Sequence, residues 1–85
     1  MLSTIDDFIK AKGIMPGNIY TISTIASMLG LHYRTVQGYR YVGCKAANNG
    51  TVRLQAFRSG QRWEVMGRDL IEFLKQVNGN GQEAN

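Results

Sequence analysis

The sequence predicts a mainly α fold with one small β-hairpin, and three observations carry that expectation. Two short helical patterns are joined by Gly30, an alternating run then turns back on itself at Ser59 and Gly60, and an amphipathic repeat at Leu70, Phe73, Leu74 and Val77 closes the chain. With 85 residues and 44% hydrophobic content there is material for one modest core. A single domain over residues 1–77 is therefore expected, with residues 78–85, rich in Gly, Asn and Gln, as a flexible tail.

Residues 1–13 read as an N-terminal helix. Ser3 with Asp6, or Thr4 with Asp7, resembles a capping box; Ile5, Phe8 and Ile9 share a face, and Gly13 ends the pattern. Residues 14–19, which include Pro16 and Gly17, are expected to form a connection without regular structure. Residues 20–43 hold the paired helical patterns. In the first, Ile22, Ile25, Ala26 and Leu29 fall at i, i+3, i+4 and i+7 behind Thr21 as N-cap oxygen, which makes it a packing helix. In the second, Val36 and Tyr39 turn to the same core while Arg34, Gln37 and Tyr41 gather on the opposite side. A helix that presents cationic and hydrogen-bonding groups outward suits the major groove of DNA, so the pair reads as a helix-turn-helix with the second helix as the recognition helix. Gly43 is a left-handed position after it, and residues 44–51 are expected to be a loop.

Residues 52–66 predict the hairpin. Val52, Leu54 and Ala56 alternate with Arg53, Gln55 and Phe57; after the turn, Trp63 and Val65 alternate with Arg62, Glu64 and Met66. Arg58 and Arg62 flank the turn, as they would on the wing of a winged helix, where a ribbon reaches phosphates or the minor groove beside the recognition helix. Trp63 is expected to be a core anchor, because its apolar neighbour on the same strand face is Val65. Residues 68–77 form the closing helix, with Asp69 in its first turn, where a carboxylate complements the helix dipole. Leu29, Val36, Tyr39, Trp63, Leu70, Phe73 and Leu74 are predicted to share one core.

Charge gives an independent argument. Seven of the ten basic residues, Arg34, Arg40, Lys45, Arg53, Arg58, Arg62 and Arg68, lie between positions 32 and 68 against the single acid Glu64. The flanks are neutral or acidic, so the excess is local, and six of its seven cations are Arg, which can grip phosphate or guanine bidentately. An enzyme is not expected: there is no Gly-rich phosphate loop, no metal-spaced His/Cys cluster and no acid or nucleophile beside the lone His32. The single Cys44 forms neither an internal disulfide nor a zinc site. No cofactor or metal is implied. The chain begins without a secretory pattern and has no apolar run near 18 residues, so a cytoplasmic protein without membrane contact is expected.

The order helix-turn-helix, strand pair, closing helix, with TISTIASMLGLHYRTVQGY at the front and GQRWEVMGRDLIEFL at the back, resembles the winged helix-turn-helix proteins of the phage excisionase and MerR-like group. The resemblance covers residues 20–77. Ala26, Leu29, Gly30, Thr35, Val36 and Tyr39 match framework positions of that family, as do Arg62, Trp63, Asp69, Leu70, Phe73 and Leu74 in the second wing strand and the helix after it. The chain departs from the pattern where Arg40 replaces an aliphatic residue, where Gly38 interrupts the recognition helix, and in the length of the 44–51 loop.

The resemblance, joined to the residue pattern, implies DNA contacts from His32, Tyr33, Arg34, Thr35, Gln37, Gly38 and Tyr41 on the recognition helix and from Arg58, Ser59, Gly60, Gln61 and Arg62 on the wing. His32, in the turn before the helix, would cap it or touch a phosphate, and Arg40, Lys45 and Arg53 are further candidate phosphate contacts. It implies sequence-specific binding of double-stranded DNA, as an excisionase-like recombination directionality factor or a small transcriptional regulator of a phage or mobile element. The partners would then be duplex DNA, an integrase or recombinase, and further copies of the chain along DNA. The alternative it leaves open is a winged-helix interaction module or phage DNA-packaging adaptor.

Overall fold

The computed structural model describes residues 5–46 and 49–78. In chain order they form α1 (Ile5–Lys12), β1 (Ile19–Thr21), α2 (Ile22–Leu29), α3 (Tyr33–Tyr41), β2 (Cys44–Lys45), β3 (Thr51–Val52), β4 (Phe57–Ser59), β5 (Arg62–Met66) and α4 (Gly67–Val77). Four helices thus accompany a three-stranded antiparallel sheet in the order β1–β5–β4 and a separate pairing of β2 with β3.

The punctuation expected from the sequence is where the helices stop. At the end of α1, Gly13 takes φ 70°, and the N–H groups of Gly13 and Ile14 return to the carbonyls of Lys10 and Ile9. α2 repeats the device with Gly30 at φ 68° and the N–H groups of Gly30 and Leu31 on Ser27 and Ala26. Both are Schellman closures, which satisfy the last carbonyls and turn the chain sharply. Thr21 caps α2, its Oγ1 accepting the Thr24 N–H at 3.2 Å. Gly43 also adopts a positive φ, 101°, after α3. Ser3 and Thr4, proposed above as capping residues, and residues 79–85 lie outside the described residues. Asn78, expected to open the tail, instead closes α4: its backbone N–H and its side-chain Nδ2 both donate to the Leu74 carbonyl, at 3.1 and 2.9 Å.

One core joins these elements. Ile22, Ile25 and Ala26 of α2, Val36 of α3, Val65 of β5 and Leu70, Phe73 and Leu74 of α4 are buried together with Ile9, Ile14 and Leu54. Each large aliphatic chain removed from water contributes roughly 1.5–3 kcal/mol. Of the predicted core, Leu29, Tyr39 and Trp63 are only half-buried at its margin, although the Tyr39 and Phe73 rings meet with centroids 5.3 Å apart.

The strands depart from the expected single hairpin. The turn is the pair Gly60 and Gln61, one residue later than Ser59 and Gly60, because Ser59 pairs with Arg62, and Gly60 takes the left-handed φ of 64° that a Gly-first two-residue loop requires. β4 is only Phe57–Ser59; residues 53–56 leave the ladder because the Leu54 N–H donates to the Tyr39 carbonyl at the end of α3, at 3.1 Å. Val52 pairs instead with Cys44, so the segment read as a loop at 44–51 contains β2 and begins β3. The free edge of β5 is taken by β1, with Ile19, Tyr20 and Thr21 opposite Met66, Val65 and Glu64. The connection expected to be irregular up to residue 19 therefore ends in a strand, and one too short for periodicity to reveal.

Residues 14–18 have a further role. Met66, which precedes α4, makes no side-chain cap; instead the N–H groups of Gly67 and Arg68 donate to the carbonyls of Asn18 (2.7 Å) and Pro16 (3.1 Å). The loop is braced by the Tyr20 phenol, whose oxygen accepts the Met15 N–H at 2.9 Å. A side chain at Gly67 would run into the Met15 carbonyl, so this glycine is present for close approach.

Candidate nucleic-acid interface

α3 starts on His32. Its Nδ1 accepts the Arg34 N–H at 3.1 Å, so the ring proton sits on Nε2 and points away from the cap, on an exposed residue. The helix then runs through Gly38 without interruption, and a Cβ built there would meet nothing within 4 Å. Val36 is buried, whereas Tyr33, Arg34, Thr35 and Tyr41 are exposed, Tyr41 to 63%. Val36 thus faces inward and Arg34 and Tyr41 outward as expected, whereas Gln37, expected on the outer face, and Tyr39, expected in the core, are both half-buried.

Gln37 and Arg40 are half-buried and belong to a network. Tyr33, Gln37 and Arg40 lie at i, i+4 and i+7, one row on the flank of the helix. Gln37 Nε2 donates to the Tyr33 phenol oxygen at 2.8 Å, and Arg40 Nε donates to Gln37 Oε1 at 3.1 Å. The Arg40 guanidinium carbon stands 4.0 Å from the Tyr41 ring centroid and 4.1 Å from that of Trp63 on β5. Both are close cation–π contacts.

Trp63 therefore does less as a core anchor than expected and more as a bridge. It lies opposite Arg58 in the β4–β5 pairing, and the Arg58 guanidinium carbon is 5.7 Å from its ring. Arg58 Nε donates to the Gly60 carbonyl at 3.3 Å, which turns the cation toward the tip. Arg58, Ser59, Gly60, Gln61 and Arg62 are all exposed. Tyr33, Gln61, Arg62 and Trp63 line a single cleft of about 170 Å³ together with Thr21 and Ser23 at the head of α2. The hairpin tip is thereby set beside the start of α3. Thr21 and Ser23 were not singled out as site residues, since small hydroxyl residues at a helix start are explained locally by capping.

Among the described residues, Arg34, Arg58 and Arg62 take part in no ion pair; the salt bridge present joins Lys75 of α4 to Asp6 of α1 at 3.6 Å. Exposed cations without an ion partner are open to an anionic one. Arg53 is not brought into this group. It lines another cleft with Asp69 and Glu72 of α4, and exposed Lys45 sits on β2 opposite Thr51. A further cleft of about 390 Å³ lies between α1, the end of α2 and α4 and is mostly apolar, lined by residues such as Phe8, Leu29, Phe73 and Val77. Tyr39 and Cys44 form part of its wall; burial pushes the Tyr39 phenol above its ordinary value, and the Cys44 thiol adds to the effect.

Among the described residues no three His, Cys, Asp or Glu side chains gather as a metal site. No helix there is long and apolar enough to cross a membrane. No protein-family model, curated protein or solved structure matches the chain.

Proposed function

We propose that this chain binds double-stranded DNA sequence-specifically as a winged helix-turn-helix, and serves as an excisionase-like recombination directionality factor or a small transcriptional regulator of a phage or mobile element. The observation that carries the reading is the cleft shared by Tyr33, Gln61, Arg62 and Trp63, which sets the cationic tip of β4–β5 beside the helix whose outer face bears Arg34 and Tyr41. α2 and α3, joined by the three residues 30–32, form the helix pair, and β4–β5 is the wing. α3 then enters the major groove, where Arg34, near its N-terminal end, meets base edges. Arg58 and Arg62 take flanking phosphates, which position the protein without reading sequence. The exposed Nε2–H of His32 suits a phosphate at the entry of the groove.

Salt dependence tests the reading. Each cation that neutralises a phosphate should add about −0.9 to the slope of log affinity against log salt. The Arg58→Ala, Arg62→Ala double variant should flatten that slope by about 1.8 and preserve the order of preferred sequences. Binding of both proteins to one duplex across a salt series, with folding checked by circular dichroism, gives the result. No salt-sensitive binding by the wild type would instead favour an interaction module or packaging adaptor.

A further inference from the structure

Arg40 looks on sequence like one more phosphate contact, but its surroundings are those of a group already occupied. Its Nε is committed to Gln37, its guanidinium lies against two aromatic rings at about 4 Å, and the residue is half-buried. The contacts run on in both directions. Through Gln37 they reach Tyr33 at the start of α3; through Trp63 they reach Arg58, which holds the carbonyl of Gly60 at the hairpin tip. A continuous line of side chains therefore ties the first turn of α3 to the end of β4–β5.

We propose that Arg40 is a positioning residue that locks the β4–β5 hairpin against α3, so that the hairpin cations and the outer face of α3 meet one duplex at a set distance and angle. This rests, for its functional half, on the DNA-binding reading above. The lock needs arginine. Its planar guanidinium presents a face to each ring and a directional Nε–H to Gln37, whereas lysine keeps the charge but offers neither the plane nor a donor at that point along the stem. The same line orients the Gln37 carboxamide from both ends, since its oxygen receives Arg40 and its nitrogen gives to Tyr33. Gln37 thus reaches a base edge already turned, and losing Arg40 frees its rotation.

Trp63 is the only tryptophan, so its signal reports on the lock directly in the full chain. Arg40→Lys is the informative variant, with Arg40→Met as a second that keeps the stem and drops the charge. In the free protein both should weaken the near-ultraviolet circular dichroism of Trp63 and raise its quenching by iodide, while the far-ultraviolet spectrum is kept. On duplex DNA, Arg40→Lys should flatten the wild-type salt slope by about 1.8, the change expected when both hairpin arginines disengage, although its own charge is retained. A plain phosphate contact predicts the reverse: Arg40→Lys keeps the wild-type slope and only Arg40→Met lowers it, by about 0.9. An unaltered Trp63 signal in Arg40→Lys overturns the lock whatever DNA does. An altered signal with an unaltered slope overturns its role in binding. If the signal changes but the wild type shows no salt-sensitive binding, the lock stands and the DNA reading falls.

Discussion

α3 and α4 are similar in length, nine and eleven residues, and are built on opposite plans. α4 buries Leu70, Phe73 and Leu74 along one stripe, has its first N–H groups capped by the 16–18 backbone and its end closed by Asn78. α3 buries only Val36 fully, carries a glycine in its interior and is flanked by a row of polar and aromatic contacts. A helix with a complete apolar stripe and both ends satisfied is held by the fold. One with a partial stripe is held by its neighbours, and its outer face remains open to a partner. The difference separates the residues that keep the domain folded from those that give it something to do.

The largest effect expected from this contrast is on the α4 side. Phe73→Ala removes a buried ring tilted against that of Tyr39 and should cost about 3–5 kcal/mol, a large part of the stability of so small a domain. Denaturant unfolding measures it, and an unchanged midpoint would break the comparison, because α4 would then not be the helix that closes the core. Gly67→Ala follows. The added methyl meets the Met15 carbonyl, and forcing the loop away from the helix start should cost about 1–3 kcal/mol, with Ile14 and the Tyr20 bond loosened as well. If thermal melting of this variant matches the wild type, the loop yields freely and is not a cap.

On the α3 side, substitutions should move binding without unfolding the domain. Arg34→Ala should lose roughly 1–3 kcal/mol on the preferred duplex and relax selectivity at one position. Equal losses on preferred and random duplexes would reduce Arg34 to a phosphate contact. Gly38→Ala sharpens the contrast further, since stability and binding should move in opposite directions. The site has open space for the methyl, so stability should rise by about 1 kcal/mol, while a partner lying against the helix there should bind less well. Calorimetry and a titration on the same sample decide it; improved stability with unaltered binding would mean that nothing approaches Gly38.

The smallest effect is at the seam between the two helices. Burial raises the Tyr39 phenol, so the folded chain holds that proton more firmly than the unfolded chain does. The resulting stability is fully present below the unfolded value near pH 10 and is lost as pH rises through the higher folded value. Tyr39→Phe has no such proton, and its stability should fall less steeply on the alkaline side. Parallel curves for the two proteins would indicate that Tyr39 titrates as it does in the unfolded chain.

The helices were legible because each signal is local. Ile22, Ile25, Ala26 and Leu29 repeat at the period of a helix, Thr21 caps within three residues, and Gly13 and Gly30 stop the chain by their own conformational freedom. The faces of α3 followed from the same periodicity, so the exposed Arg34 and Tyr41 and the buried Val36 needed no knowledge of the rest of the chain. The placement of Arg58 and Arg62 on either side of a tight turn was legible too, to within the one residue by which Gly60 and Gln61 form it.

What the sequence could not carry is every feature that depends on two distant segments meeting. β1 is three residues long and becomes a strand only because β5 offers it an edge, and Leu54 leaves the ladder because Tyr39 offers a carbonyl. Gly67 reads as an ordinary helix start until Met15 and Pro16 are folded over it. Arg40 and Trp63 lie 23 positions apart and carry no local mark of their contact. Periodicity and capping are properties of a few consecutive residues, and the sequence by itself determined those. Edges, close approaches and stacked side chains belong to pairs of segments, and only the tertiary structure, by bringing the pairs together, decided them.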